Sequence, residues 1–177
     1  MIEKKEKKFV VVFSNNIFSS NAASAFELYN KSLLGERVKD SIHYSFIEAL
    51  YLLENKKITI REKNKTLANK NLLEKAKKLE PNFWPRYKVF QNLKSKGYVV
   101  KTALKFGADF RVYSKGTKPG QEHAKWLVFP AQESSKWTWY DLAARIRVAH
   151  NTKKNLLIAI VDHEGDITYY EINWIKP

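Results

Sequence analysis

A chain of 177 residues, 44% hydrophobic and 14% aromatic, carries enough apolar material for one ordinary domain or two small ones; intrinsic disorder and a large multidomain assembly are excluded. Its 32 Lys and Arg against 18 Asp and Glu leave a net charge of +14, which points to a polyanionic partner, nucleic acid first and an anionic membrane surface second. The absence of cysteine removes disulfide scaffolds, thiol nucleophiles, zinc ribbons and iron–sulfur clusters, and fits a reducing interior.

In chain order, residues 9–13 form a β-branched run bounded by charge and by Ser14-Asn15-Asn16, and read as a buried strand. Ser19 to Asn21 offer capping residues for an amphipathic helix over 22–34, with apolar positions at Ala25, Leu28, Tyr29 and Leu33 and Gly35 as its C′ residue. A short helix over 44–53, an alternating strand over 57–61 and a Lys-rich helix over 66–79 complete a small α+β domain, residues 1–80. The pattern changes after Pro81. Residues 81–177 open with a helix over about 85–96, ended by Gly97, and continue as strands over 98–100, 104–106, 109–113, 126–129, 156–161 and 167–172, with one helix over 139–150. Both halves are basic, and neither contains a repeat or a low-complexity linker. The apolar runs are far shorter than the roughly 20 residues that span a bilayer, and the amino terminus lacks a signal-peptide pattern. A soluble, intracellular, cytoplasmic protein that binds no membrane is expected.

The stock of catalysts is small. The four histidines, His43, His123, His150 and His163, form no His-x-x-x-His pair, and no Gly-rich phosphate loop or Gly-x-Ser-x-Gly elbow is present. Two-metal chemistry would have to draw on Asp109, Glu122, Asp162, Glu164 and Asp166 in the second half. The richest segment runs from 101 to 125, where Gly107, Gly116 and Gly120 punctuate a strand and a loop bearing Tyr113, Ser114, Lys115, Lys118 and His123. RNA cleavage without metal needs a base for the 2′-hydroxyl proton, an acid for the departing 5′-oxygen and a cation for the phosphorane. His suits the acid and Lys the cation. Tyr serves as base only where cations pull its pKa down from about 10, and Arg111, Lys115 and Lys118 flank Tyr113.

Three stretches then carry a resemblance. Gly-Tyr-Val-Val-Lys-Thr-Ala-Leu-Lys-Phe-Gly-Ala-Asp-Phe-Arg-Val-Tyr-Ser-Lys-Gly over 97–116, Pro-Gly-Gln-Glu-His-Ala over 119–124 and the segment 145–162 together resemble the archaeal tRNA-splicing endonuclease family, and Glu48-Ala49-Leu50-Tyr51-Leu52-Leu53 is similar to its amino-terminal domain. The resemblance implies a restriction-endonuclease-like mixed sheet in the second, catalytic domain, with Tyr113 as base, His123 as acid and Lys154 as transition-state cation. It implies cleavage of precursor tRNA at the bulge–helix–bulge of intron boundaries without metal or cofactor, leaving 2′,3′-cyclic phosphate and 5′-hydroxyl ends. Arg147, seven residues before Lys154, matches a base-stacking arginine, and Lys115, Lys118 and Trp174 are further RNA-binding candidates. Similar enzymes insert an acidic loop into a basic cleft of another subunit and pair their last strands. Asp162, Glu164 and Asp166 are expected to serve that assembly, giving a homotetramer or a heterotetramer with a related structural subunit. The competing readings are a non-catalytic RNA-binding or assembly subunit and a metal-dependent DNA nuclease.

Overall fold

The computed structural model describes residues 8–117, 120 and 122–175, and the chain divides between Phe83 and Trp84 into two compact units. Each is built on one mixed sheet, so the α+β class expected from the sequence holds in both.

The first unit is organised by β1 (Phe9–Ser14), whose side chains alternate between buried and exposed. Asn15 and Asn16 both take positive φ, the geometry of a tight hairpin turn, and return the chain as β2 (Ile17–Ser20). The register sets Phe13 opposite Phe18, their rings 4.3 Å apart, and Phe46 meets both edge-on. Helix α1 (Ala23–Ser32) follows. Ser20 does not cap it: its hydroxyl donates to Val10 O inside the sheet, and the N-cap is Ala22. Nor is Gly35 its C′ residue, because Leu33 takes the left-handed conformation first. Strands β3 (Glu36–Val38) and β4 (Ser41–Tyr44) were not expected, and α2 (Phe46–Glu54) starts later than 44 because Ser45 and Glu48 close a capping box. The unit ends with β5 (Ile58–Glu62), β6 (Lys65–Leu67) and α3 (Asn69–Leu79); Thr66, expected in the helix, lies in β6. The sheet order is β3-β4-β2-β1-β5-β6, with β1 and β5 parallel.

In the second unit α4 (Phe83–Ser95) leads into a hairpin of β7 (Val99–Ala103) and β8 (Ala108–Tyr113). Residues 104–106, expected as a strand, instead form a 3-10 turn that Gly107 closes with φ 65°. The four residues between the antiparallel partners Ala103 and Ala108 must reverse the chain, so they cannot extend it. Strand β9 (Trp126–Gln132), helix α5 (Trp139–Asn151), β10 (Asn155–Val161) and β11 (Ile167–Ile172) complete a sheet ordered β11-β10-β9-β8-β7, in which only β9 and β10 run parallel. One face buries Leu127, Phe129, Leu156 and Ile158 with Ala149, Leu142 and Ile146 of α5. On the other, Phe90 of α4 packs against Phe110. Thr138 caps α5 and its hydroxyl donates to Asp141, which fixes the helix start. No helix of the described residues is long and apolar enough to cross a membrane.

Gly35 shows how tightly the first unit is built. Its φ is +83°, its N–H donates to Glu48 Oε1, and an added Cβ would lie 2.6 Å from Ile42 and 2.8 Å from His43 O. Gly97 has a similar φ of +86° with nothing near an added Cβ. Denaturant unfolding should therefore find Gly35→Ala destabilised by roughly 3 kcal/mol or more, strain and clash together, whereas Gly97→Ala loses only the roughly 1–2 kcal/mol of backbone strain.

Candidate active site

Two backbone hydrogen bonds assemble one end of the second sheet. Lys125 N–H donates to Val112 O, and Asn155 N–H donates to Lys125 O, so the ladder reaches Lys125, one residue before β9. Continued by one step from the pairs Val112 with Trp126 and Trp126 with Asn155, the register sets Tyr113, Lys125 and Lys154 in one row. Two residues further in, past the row of Val112, Trp126 and Asn155, lies the row of Arg111, Leu127 and Leu156. Because Leu127 and Leu156 face α5, Arg111 does too, and strand alternation puts Tyr113 and Lys154 on that same face.

The backbone of Lys154 is fixed by the end of α5. Lys153 takes φ 56°, its N–H donates to His150 O, and Lys154 N–H reaches back to Ala149 O, the paired bonds of a Schellman motif. The Lys154 ammonium donates to Thr152 O at 2.7 Å and lies 5.4 Å from the Phe106 ring. Partial burial, with the positive charges of Arg111 and Lys105 beside it, holds its pKa below the ordinary lysine value. The Arg111 guanidinium is 6.0 Å from the ring centre of buried Tyr113, and its Nε is buried with no hydrogen-bond partner among the described residues. The nearest strand carboxylate on this face, Asp109, is taken up by Arg86 at 2.7 Å and by the field of Arg145; burial nevertheless pushes it above the usual carboxylate range. Lys154, Arg111 and Lys105 thus converge with no acid acting on Lys154 among the described residues, the electrostatic form of an anion site. Among the described residues no group of His, Asp and Glu is arranged to hold a metal ion.

His123 is exposed in the loop entering β9, two residues before Lys125. The Lys115 ammonium lies 5.2 Å from the centre of the Tyr98 ring, and Lys118 lies outside the described residues. Arg147 is exposed on α5, on the side away from the sheet. Trp174 lies beyond β11 rather than in it; its ring is 4.6 Å from that of His150, and the two line a cavity of about 180 Å³ with Lys153, Lys154, Asn155 and Asn173. Asp162, Glu164 and Asp166 sit in the β10–β11 turn, at the far end of a seven-residue strand from Lys154 and so roughly 23 Å away. Their roles differ, since Asp162 Oδ1 accepts the N–H groups of Gly165 and Asp166 and holds the turn, while Glu164 and Asp166 are exposed.

Sequence reasoning used Arg111 only as a neighbour of Tyr113, although its position two residues back on a strand already put both on one face. Lys105 was hidden by the strand expected at 104–106. His150, which the sequence offers only as one of four scattered histidines, became visible through its ring contact with Trp174.

Comparison with known proteins bears on both units. Residues 11–73 match the model of the tRNA intron endonuclease N-terminal domain, and residues 83–169 that of the tRNA intron endonuclease catalytic C-terminal domain. The tRNA-splicing endonuclease of Thermococcus onnurineus is 40% identical over 159 residues, 90% of this chain and 91% of its own length. That of Thermococcus kodakarensis is 38% identical over 92% of this chain and 95% of its own, and that of Nanoarchaeum equitans 40% identical over 82% and 97%. With both domains matched in order, the chain belongs to the tRNA intron endonuclease family, the archaeal tRNA-splicing endonucleases.

Proposed function

We propose that the chain is a catalytic subunit that cuts precursor tRNA at intron boundaries without a metal ion. The observation that carries this reading is the unbalanced cluster of Lys154, Arg111 and Lys105 at the sheet end where Tyr113 also lies. The Tyr113 oxygen takes the proton of the 2′-hydroxyl, whose oxygen attacks the adjacent phosphorus. The bond from phosphorus to the 5′-oxygen breaks, His123 protonates that oxygen, and a 2′,3′-cyclic phosphate and a 5′-hydroxyl result. Lys154 offsets the charge gathering on the phosphoryl oxygens. Arg147, exposed on α5, meets an unpaired base of the bulge, and Trp174 with His150 lines a cavity of nucleobase scale beside Lys154.

The assembly proposed is a tetramer, of one chain or with a related subunit. Strand β11 is an edge of its sheet with Tyr170 exposed, a surface that invites pairing. The turn that follows β10 presents Glu164 and Asp166 to a basic partner surface.

Cleavage of a bulged RNA in EDTA tests the chemistry. His123→Ala should slow it by roughly 10²–10⁴, Lys154→Ala should raise the barrier by ~3 kcal/mol with substrate affinity nearly unchanged, and Tyr113→Phe should be inactive. Wild-type rates for all three, or loss of wild-type activity in EDTA, would overturn the reading.

The pH dependence follows from Lys154. Its lowered pKa means that the cation, and with it activity, is lost as pH rises through that lowered value. Arg111→Met removes one cause of the depression, so the alkaline limb of the kcat/KM profile should move to higher pH.

For assembly, Glu164→Lys with Asp166→Lys should reduce the tetramer mass seen by light scattering while the circular dichroism of the chain is kept, because like charges would meet in the partner's basic surface. Asp162 is left intact since it holds the turn. An unchanged tetramer would exclude a role for these two charges.

A further inference from the structure

Trp139 and Tyr140, in the first turn of α5, are 86% and 77% exposed, and neither ring has an aromatic or cationic partner among the described residues. Their neighbour Trp137 behaves differently. Its ring lies 4.1 Å from the Arg145 guanidinium and packs against the hydrophobic cluster under the helix. Packing therefore accounts for one aromatic of the three and leaves two large rings in water at the start of a helix.

The exposed positions of α5 form a line. Trp139 and Tyr140, Ala143, Arg147 and then His150 with Asn151 recur at intervals of three or four residues, the spacing of one helix face. Ala143 leaves the middle of that face low and open. At 1.5 Å per residue the line covers roughly 15 Å from Tyr140 to His150, where the Trp174 ring and the cavity beside Lys154 begin. The charge along it is predominantly positive. Arg147 and Lys153 are exposed, Lys136 precedes the helix, and Asp141, the sole acid of α5, is occupied by the Thr138 cap.

We propose that this face of α5 is a track for an unpaired RNA strand leaving the cleavage site, with Trp139 and Tyr140 as the platform on which its bases stack. Exposed rings offer a stacking surface to any base, and the cations between them follow the phosphates. The track deepens the function proposed above, because its near end is the Lys154 edge, but binding to it requires no cleavage and is measured separately. A second copy of the chain is the competing occupant, and the net positive charge of the line disfavours a self-complementary contact.

The test uses the full chain, a short oligouridylate and a blunt RNA duplex of equal length, with affinity read by fluorescence anisotropy at fixed salt. Trp139→Ala with Tyr140→Ala should weaken oligouridylate binding by roughly 5- to 150-fold, the range for loss of one stacked base, and leave duplex binding within about two-fold. Trp139→Phe with Tyr140→Phe should retain most of the affinity, since the ring and not the polar tip does the stacking. Ultraviolet crosslinking of iodouridine-labelled oligonucleotide should mark the peptide holding residues 139 and 140 of the unsubstituted chain, a readout that does not depend on the alanine variant folding. Unchanged oligouridylate affinity, equal losses on strand and duplex, an absent crosslink, or a changed oligomer mass with unchanged RNA affinity would each overturn the proposal. Inactivity of the Lys154 site with an intact loss of strand binding in the alanine variant would instead overturn only the catalytic reading.

Discussion

The parallel pairing of β9 with β10 is the constraint on which the second unit depends. Parallel neighbours need a long crossover, here α5, so the start of β10 lies beside the start of β9 only if the helix returns the chain by the right length. On the sheet face opposite the helix a clasp secures the junction: Glu171 of β11 accepts from the Trp126 indole N–H and from the Asn155 amide, the first residues of the two parallel strands. Those bonds hold its pKa below the usual carboxylate range. The clasp thus sits behind the row that contains Tyr113 and Lys154, and the geometry of the front face is set partly from the back.

Such an arrangement places two electrostatically different ends on one strand. The amino-terminal end of β10 emerges from a helix and carries Lys154 among uncompensated cations, while its carboxy-terminal end enters the acidic turn held by Asp162. Cations at one pole and acids at the other give the unit an electrostatic direction. The first pole attracts polyanions and the second attracts basic surfaces, so the RNA site and the assembly contact proposed above would not compete for the same place.

Much of this was legible in the sequence for physical reasons that differ along the chain. Long periodic segments were readable: α5 was expected over 139–150 and spans Trp139–Asn151, and the apolar run of β10 stood out because it is buried on both faces. Short, polar strands were not. Glu36–Val38 is wholly exposed, and Ser41–Tyr44 has two buried residues, so neither has a hydrophobic pattern strong enough to register; both exist because neighbours supply hydrogen-bond partners. Left-handed residues were the other blind spot. Leu33 and Lys153 both end helices at positive φ where glycine would be the usual signal. At the site, Tyr113 stood out in the residue pattern and the family resemblance singled out Lys154, but the cationic surroundings of Lys154 depend on a 3-10 turn that no periodicity announces.

That left-handed lysine has a further consequence. Lys153 holds a conformation that costs a side chain roughly 1–2 kcal/mol, and the two hydrogen bonds across it tie the last turn of α5 to the backbone of Lys154. Helix ends are the segments that open first on heating, well before the sheet beneath them. Because the ammonium hangs from this end, fraying of one helical turn would carry it away from Arg111 and Tyr113 while every strand stayed paired. On the catalytic role proposed for Lys154, the upper working temperature would then be set by a single chain reversal, below the temperature at which the fold itself melts.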